Sequence, residues 1–411
     1  MRGSGKCEMA DTQIGGRSGQ AFLQDVQEAA KGMGEGSVVF VRERTKYEQT
    51  VRIAAALLTK KTVVPLCDDY GEERNRAIAA QLSTGKPPKG VAAILFTSGT
   101  SGMPKGVMLT QRALAWNIRA IRRYMGERKR KIFIFRPLIH SAVFTGELLY
   151  ALANGWDIVF WDGAFLPAQI VAQMKETSAE IAGMTPSLLK AFLRMRQEPP
   201  LKEIILSGER LTREDAFYFA EELPHCRFYS VYGLTECGPR VSALLPEEFT
   251  QYAGSVGLPL RGVKLKCVGE ELFVKTPGRM KGYFARSELT TQKKLHGWIA
   301  TGDTARIVQG RLYILGRKDD MIIRSGMNIY PSEVERLLCQ CEGVEECIAY
   351  GKPDPICGER VAVDYSGTCS REELMTYAVM HLPAYLVPSE YHRLSELERT
   401  ESGKLRRRKR E

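Results

Sequence analysis

The sequence predicts an α/β protein with a large N-terminal domain on a doubly wound, mainly parallel sheet, a small antiparallel β section and a small C-terminal α/β domain. Three observations carry this. Between residues 91 and 232, short β-rich runs alternate with amphipathic stretches long enough for helices. From about 254 to 315 the pattern becomes an apolar–polar alternation, and beyond Gly316 a compact strand-and-helix pattern begins.

In chain order, the candidate strands are Val91–Thr97, Ile132–Pro137, Trp156–Trp161, Glu180–Met184, Glu203–Ser207 and Arg227–Val231. Helices are expected between them at 111–124, 144–153, 167–177, 186–196 and 212–222. Strands that alternate with helices read as a mainly parallel sheet covered on both faces, with ligands beyond the strand C-termini. In the antiparallel section, Val263, Leu265 and Cys267 alternate with basic or glycine residues, Leu272 and Val274 do so again, and Gln309–Gly310 reads as a hairpin turn. Ser332 and Glu335 have the spacing of a capping box beside the apolar stripe Val334, Leu337, Leu338 and Cys341. Strands follow at Val344–Tyr350 and Val361–Tyr365, then a second capped helix with Ser370, Glu373, Leu374, Tyr377, Ala378 and His381. The junction falls at Lys318-Asp319-Asp320, which divides the chain into residues 1–318 and 319–411.

Composition narrows the class. With 411 residues, 44% hydrophobic and 26% charged, the chain is that of a folded protein, not a disordered or collagenous one. No strictly apolar run exceeds six residues, as in Val91–Phe96, whereas a membrane-spanning helix needs about 20. The first thirty residues hold no seven-residue apolar core of a secretory signal, so the expected compartment is the cytoplasm. The ten cysteines show no CxxC pair and no histidine at zinc-ligand intervals, and are read as reduced thiols. Net charge is +11, but five of the positive charges form the run Arg406–Arg410, an expected solvated tail. No aromatic residue interleaves with that run, so nucleic acid is not an expected partner.

The most informative segment runs from Leu95 to Gly106. Thr97, Ser98, Thr100 and Ser101 offer hydroxyls, Gly99, Gly102 and Gly106 permit close backbone approach, and Lys105 adds positive charge, after a strand and before a helix. Those are the parts of a phosphate cradle. The Gly-Lys-Ser/Thr of a Walker loop is absent.

With this cradle, the sequence resembles the adenylate-forming superfamily of acyl- and aryl-CoA synthetases, carrier-loading adenylation domains and luciferases. Four further segments match in the family's order: Tyr232-Gly233-Leu234-Thr235-Glu236; Gly297-Trp298 with Thr301-Gly302-Asp303; Gly316-Arg317-Lys318-Asp319-Asp320 running to Gly326; and Arg399-Thr400-Glu401-Ser402-Gly403-Lys404. The resemblance implies ATP, Mg²⁺ and coenzyme A, or a carrier protein's phosphopantetheine, as cofactors. Glu236, past a candidate strand end, would ligate Mg²⁺ with Thr100 as companion. Asp303 would accept the ribose hydroxyls, and Arg317 would donate to ribose or phosphate. Ser207-Gly208-Glu209 resembles the adenine-side strand end, with Tyr232 as a stacking surface. Lys404 would stabilise the charge developing as a carboxylate attacks the α-phosphate. Asp319 matches the family hinge, which makes the C-terminal domain mobile, and Gly326 would face the thiol tunnel in a second pose.

The stretch Arg136–Phe144 looks like the family's acyl-pocket segment, with His140 on the carboxylate side and Phe144 beside the acyl group. No aspartate stands between His140 and Gly146 to meet a substrate ammonium, and the apolar neighbours favour a fatty or aromatic acid over an α-amino acid. About ninety residues precede the cradle, and residues 331–404 are trimmed as well. For this family that implies a shortened N-terminal subdomain, with an acyl pocket more open or completed by another subunit. The resemblance therefore implies acyl-adenylate formation followed by thioester formation with coenzyme A. The alternatives are loading of an acyl carrier protein, and a non-catalytic nucleotide- or nucleic-acid-binding relative.

Overall fold

The computed structural model describes residues 11–67, 71–97, 104–325, 327–399 and 405. Contacts divide the chain into two compact units. The first comprises residues up to Lys266 with Phe273–Thr301 and Gly310–Leu312; the second comprises Cys267–Leu272, Gly302–Gln309 and the residues from Tyr313 onward.

The first unit is built on two sheets. In the larger, nine strands run in the order Leu258–Pro259, Gly238–Leu244, Arg227–Leu234, Glu203–Leu206, Ile181–Met184, Lys131–Ile134, Asp157–Phe160, Gln13–Ile14 and Arg17–Ser18. Its centre is parallel, with Ile204 opposite both Ala182 and Phe228, and antiparallel pairs close both edges. Helices Pro167–Glu176, Pro186–Arg194 and Arg213–Glu222 supply Ile170, Leu189, Phe192 and Phe219 to a core shared with Phe133, Met184 and Leu206. Each such side chain, removed from water, contributes about 1.5–3 kcal/mol. The expected strands are present, most of them a residue or two shorter, whereas Arg227–Leu234 runs three residues further.

One expectation is corrected. The strand Val91–Thr97 does not lead into a parallel crossover; it pairs antiparallel with Lys105–Thr110, Thr97 opposite Lys105. A parallel return needs a dozen or more residues, and the connection of residues 98–104 is too short. The cradle therefore joins two strands, and the helix Gln111–Met125 begins only after the second of them. This hairpin belongs to a second sheet of five strands, in the order Gly282–Tyr283, Lys105–Thr110, Val91–Thr97, Thr62–Pro65, Val38–Val41. Helices Lys46–Leu58 and Glu72–Ser83 alternate with its N-terminal strands, and Thr45 with Glu48 forms a full capping box on the first of these helices.

The antiparallel section expected over 254–315 is present as strands Lys264–Val268, Glu271–Lys275, Lys294–Leu295, Trp298–Val308 and Arg311–Arg317. In the second unit, a sheet runs Met327–Ile329, Ile322–Arg324, Gly358–Gly367, Val344–Asp354, and Glu390–Arg393 adds in parallel to Gly358–Gly367. Val334, Leu338, Leu374 and Ala378 from helices Pro331–Leu338 and Arg371–His381 pack on Val361, Val363 and Tyr365. The capping box at Ser370 and Glu373 forms in both directions. That at Ser332 does not, because Pro331 already opens the helix. The Ser332 hydroxyl donates to the Leu315 carbonyl at 2.6 Å, and Glu335 accepts from the Ala349 amide at 2.9 Å.

Candidate active site

In the first unit the site is organised by the turn between two antiparallel strands of the large sheet. Tyr232 pairs with Ser242, Leu234 with Gly238, and the Cys237 amide donates to the Leu234 carbonyl at 3.0 Å. Two glycines make so tight a reversal possible. A Cβ at Gly233 would stand 2.2 Å from the Pro239 carbonyl oxygen, and one at Gly238 (φ 99°) would stand 2.2 Å from Asn117 Oδ1. The turn projects Thr235 and Glu236. Thr235 Oγ1 lies 3.3 Å from Ser141 Oγ, which ties the turn to the expected acyl-pocket segment. Glu236 Oε1 accepts a 2.7 Å hydrogen bond from the Tyr283 hydroxyl, and its backbone carbonyl accepts from Met280 N at 2.7 Å. Glu236 stands two residues past the strand end, within the turn to the next strand, so no helix N-terminus holds its carboxylate.

Tyr283 is 3% exposed and pairs with Val107, two residues beyond Lys105 on the strand that leaves the cradle. The carboxylate from one sheet is thus positioned by a phenol from the other. Thr97 and Lys105, both half-buried, mark the two ends of the cradle. A Cβ at Gly106 would meet Ile94 and Phe96 at 2.9 Å, so that glycine permits strand packing. Ser98, Gly99, Thr100, Ser101 and Gly102 lie outside the described residues, as do Gly326 and Lys404.

At the neighbouring strand end, Gly208 takes a φ of 89° and turns the chain so that Glu209 reaches back to helix Pro186–Arg194. There Glu209 accepts from the Ser187 amide at 3.0 Å and the Ser187 hydroxyl at 2.9 Å, next to the positive end of the helix. Both carboxylate oxygens serve this local structure. Ser207 is buried, with a hydroxyl that has no partner among the described residues. Tyr232 is half-buried beside the turn.

The expected helix at 144–153 is broken into three pieces: α over Ser141–Val143, π over Phe144–Leu149 and α over Tyr150–Ala153. Such π segments widen one turn and recur at functional sites. His140 precedes the first piece, and its carbonyl accepts from the Phe144 amide at 2.7 Å; Phe144 itself is fully buried. Within the π turn, Glu147 is 1% exposed and accepts from Arg136 Nη2 at 2.5 Å. Gly183 makes room for this ion pair, because a Cβ there would stand 2.1 Å from Glu147 Oε1.

Sequence reasoning missed Tyr283 and the Arg136–Glu147 pair. Tyr283 carries no local signal, since its partner is 47 residues away. Glu147, a lone carboxylate among Phe144, Leu148, Leu149 and Tyr150, was a visible sign that a buried cation must face it.

In the second unit, Asp303 is 7% exposed and accepts from Arg317 Nη1 at 2.9 Å, so the structure brings these two expected site residues together. Gly302, with φ 76°, turns the chain into Asp303, and its amide donates to Glu271 Oε1 at 3.2 Å. The other Glu271 oxygen accepts from Lys318 Nζ at 2.9 Å, a hydrogen bond that raises the lysine's pKa. The carboxylate of Asp319, on the short 3₁₀ turn Lys318–Asp320, lies 3.9 Å from Arg317 Nη2.

Among the described residues, no cluster of three or more His, Cys, Asp or Glu side chains could hold a metal by itself, and no helix is long and apolar enough to cross a membrane. The described cysteines are unbridged, and burial holds the Cys226 thiol up at about 12.

The fold is that of adenylate-forming enzymes. A family model described as AMP-binding enzyme matches residues 79–284, and one described as AMP-binding enzyme C-terminal domain matches 333–404. The chain belongs to the AMP-binding enzyme family. A long-chain-fatty-acid–CoA ligase of Escherichia coli O6:H1 is 30% identical over 356 residues, which is 78% of this chain and 61% of that one. A feruloyl-CoA synthase of an Amycolatopsis species is 29% identical over 337 residues, 77% and 68% of the two chains. The chain thus spans about three-fifths of the length of the long-chain ligase it matches. Among solved structures, o-succinylbenzoate CoA synthetase from Bacillus subtilis with its acyl-adenylate superposes with a TM-score of 0.81 at 22% identity, over 95% of this chain and 93% of that one. ATP-bound MatB from Rhodopseudomonas palustris gives 0.84 at 21%, over 96% and 94%.

Proposed function

We propose that this chain activates a carboxylic acid with ATP and passes the acyl group to the thiol of coenzyme A, as an AMP-forming acid–thiol ligase. The observation that carries the reading is the fixed position of Glu236: a turn carboxylate held by Tyr283 against the strand that leaves a glycine- and hydroxyl-rich loop. The relatives named as CoA ligases support it.

In the first step a carboxylate oxygen bonds to the α-phosphorus while the bond to the bridging oxygen breaks, and the electron pair leaves with pyrophosphate. Charge accumulates between anions, so the task is electrostatic. Lys404 is assigned to the α-phosphate. Thr97, Ser98, Gly99, Thr100, Ser101, Gly102 and Lys105 hold the β- and γ-phosphates. Asp303 orients the ribose with Arg317 beside it, and Gly208, Glu209, Tyr232, Gly233 and Thr235 form the adenine side. The donor set suits magnesium, which commonly takes one or two protein carboxylates, with phosphate oxygens and water completing its shell. Glu236 with Thr100 would hold it, and when bound it neutralises phosphate charge. In the second step the thiol sulfur bonds to the acyl carbon, the bond to the AMP oxygen breaks, and the thiol proton passes to solvent.

Residues 1–318 and 319–411 are taken as the two working domains, with Asp319 as hinge and Gly326 facing the thiol in the second pose. His140 and Phe144 line the acyl side. Because the reaction consumes ATP and coenzyme A and the described cysteines are unbridged, the cytoplasm is the compartment assigned. The test is acid-dependent pyrophosphate release with coenzyme A present or absent. Thioester formation supports the reading. An adenylate that coenzyme A leaves unconsumed makes a carrier protein the acceptor, and ATP binding without pyrophosphate release from any acid removes the ligase assignment.

A further inference from the structure

Arg240 is the least expected buried residue in the first unit. It is 1% exposed, on the strand that follows the Glu236 turn, and only one of its nitrogens is satisfied internally: Nη1 donates to the Pro239 carbonyl at 2.9 Å. Nε and Nη2 are buried without a hydrogen-bond partner among the described residues. The guanidinium lies flat over Gly146, in the middle of the π turn that starts at Phe144, so that a Cβ there would meet Cζ, Nη1 and Nη2 alike at 3.1 Å. Two further polar groups lie beside it. Half-buried Tyr124 turns a buried hydroxyl toward the guanidinium, at the limit of hydrogen-bond reach, and Thr145, which adjoins Gly146, is buried with a hydroxyl that has no hydrogen-bond partner among the described residues.

The charges do not balance. Glu147, the carboxylate of the same turn, is committed to the partly buried Arg136 at 2.5 Å, which leaves the fully buried Arg240 to find its counter-charge elsewhere. A buried cation is normally paired, and a guanidinium edge with two free donors matches the two oxygens of a carboxylate in a fork. Ser141, three residues before Phe144, meets Thr235 of the Glu236 turn, so the strand carrying Arg240 and the acyl-pocket segment converge on the same turn.

We propose that Arg240, with Tyr124 and Thr145, is a subsite for a second anionic group at the far end of the substrate, so that the acid activated here is a dicarboxylic or similarly double-anionic acid. This rests on the acid-activating reading and narrows it, against the fatty or simple aromatic acid that the apolar neighbours of His140 suggest.

The experiment compares matched mono- and dicarboxylic acids of 4–10 carbons in the wild type, Arg240→Met and Arg240→Lys. It reads both pyrophosphate release and, without turnover, the melting temperature of the protein with each acid and AMP present. The wild type is expected to favour the dicarboxylate by about 10-fold or more in kcat/KM. Arg240→Met should reverse that order, mainly through KM, and Arg240→Lys should restore only part of it, lacking the fork. Dicarboxylates should raise the melting temperature of the wild type and not of Arg240→Met, and the unliganded Met variant should melt no lower than the wild type.

Equal mono- to dicarboxylate ratios in all three proteins, or no Arg240-dependent melting shift, would overturn the subsite. So would a Met variant that melts far below the wild type, which marks a structural cation. The two readings fail separately. An Arg240-dependent dicarboxylate shift with no pyrophosphate from any acid keeps the subsite and removes the ligase. Pyrophosphate release from monocarboxylates, indifferent to Arg240, does the reverse.

Discussion

The Tyr283 hydroxyl donates to Glu236 Oε1 at 2.7 Å, and this bond joins the two sheets of the first unit at the mouth of the glycine-rich loop. A carboxylate on a hairpin turn would otherwise rotate freely about its side-chain bonds. A nearly buried phenol removes that freedom and leaves the charge in place.

Tyr283→Phe should therefore weaken apparent affinity for magnesium–ATP about 10-fold, since a hydrogen bond to a charged group contributes roughly 1.5–3 kcal/mol. Titration of acid-dependent pyrophosphate release against ATP reads this. Unchanged ATP dependence would mean that the phenol serves packing alone.

Glu236→Gln keeps the size of the side chain and its acceptor for Tyr283 while it removes the charge. Activity should fall by a hundredfold or more, with the melting temperature nearly unchanged, since the residue is only half-buried. A large loss of stability with proportionate loss of activity would assign Glu236 to structure.

Gly183→Ala should destabilise the first unit by about 3–5 kcal/mol, because the added methyl stands 2.1 Å from the buried Glu147 Oε1 and forces it away from the partly buried Arg136. Urea denaturation measures it. An effect under about 1 kcal/mol would show that the pair shifts without breaking.

Glu180 supplies the pH dependence. Its carboxyl is held below the usual 4.5, first by the hydrogen bond from Lys202 at 2.8 Å and then by the Lys131 amide and Arg128. A lowered folded-state value gives stability that is present above the unfolded pKa and lost as pH falls through the folded one. Glu180→Gln should thus cost about 1 kcal/mol at pH 7, and the difference should close on titration below about 4.5. A difference that persists at lower pH would locate the effect in packing.

Part of the expected site was legible because some of its described residues sit beside their own turns. Glu236 follows its strand and Asp303 its Gly302, so neighbours in sequence remain neighbours in space. The cradle's setting was less legible: residues 111–124 read correctly as a helix, but the strand Lys105–Thr110 before it was hidden by its overlap with the glycine-rich segment. The ion pair of Arg136 with Glu147 and the close approach of Gly183 depend on strand order in the large sheet. Spacing along the chain carries no trace of them. The Ser332 spacing misled for a local reason, since Pro331 occupies the first helical position and frees the serine to bond elsewhere.

The central claim is acid-dependent adenylation, and the most direct test compares wild type with Lys404→Ala for acid-dependent release of pyrophosphate across mono- and dicarboxylic acids, with and without coenzyme A. The account expects release that requires an acid, a thioester and AMP when coenzyme A is present, and a loss of several orders of magnitude in Lys404→Ala with ATP affinity nearly unchanged. Equal release by the variant, or ADP in place of AMP and pyrophosphate, would contradict it.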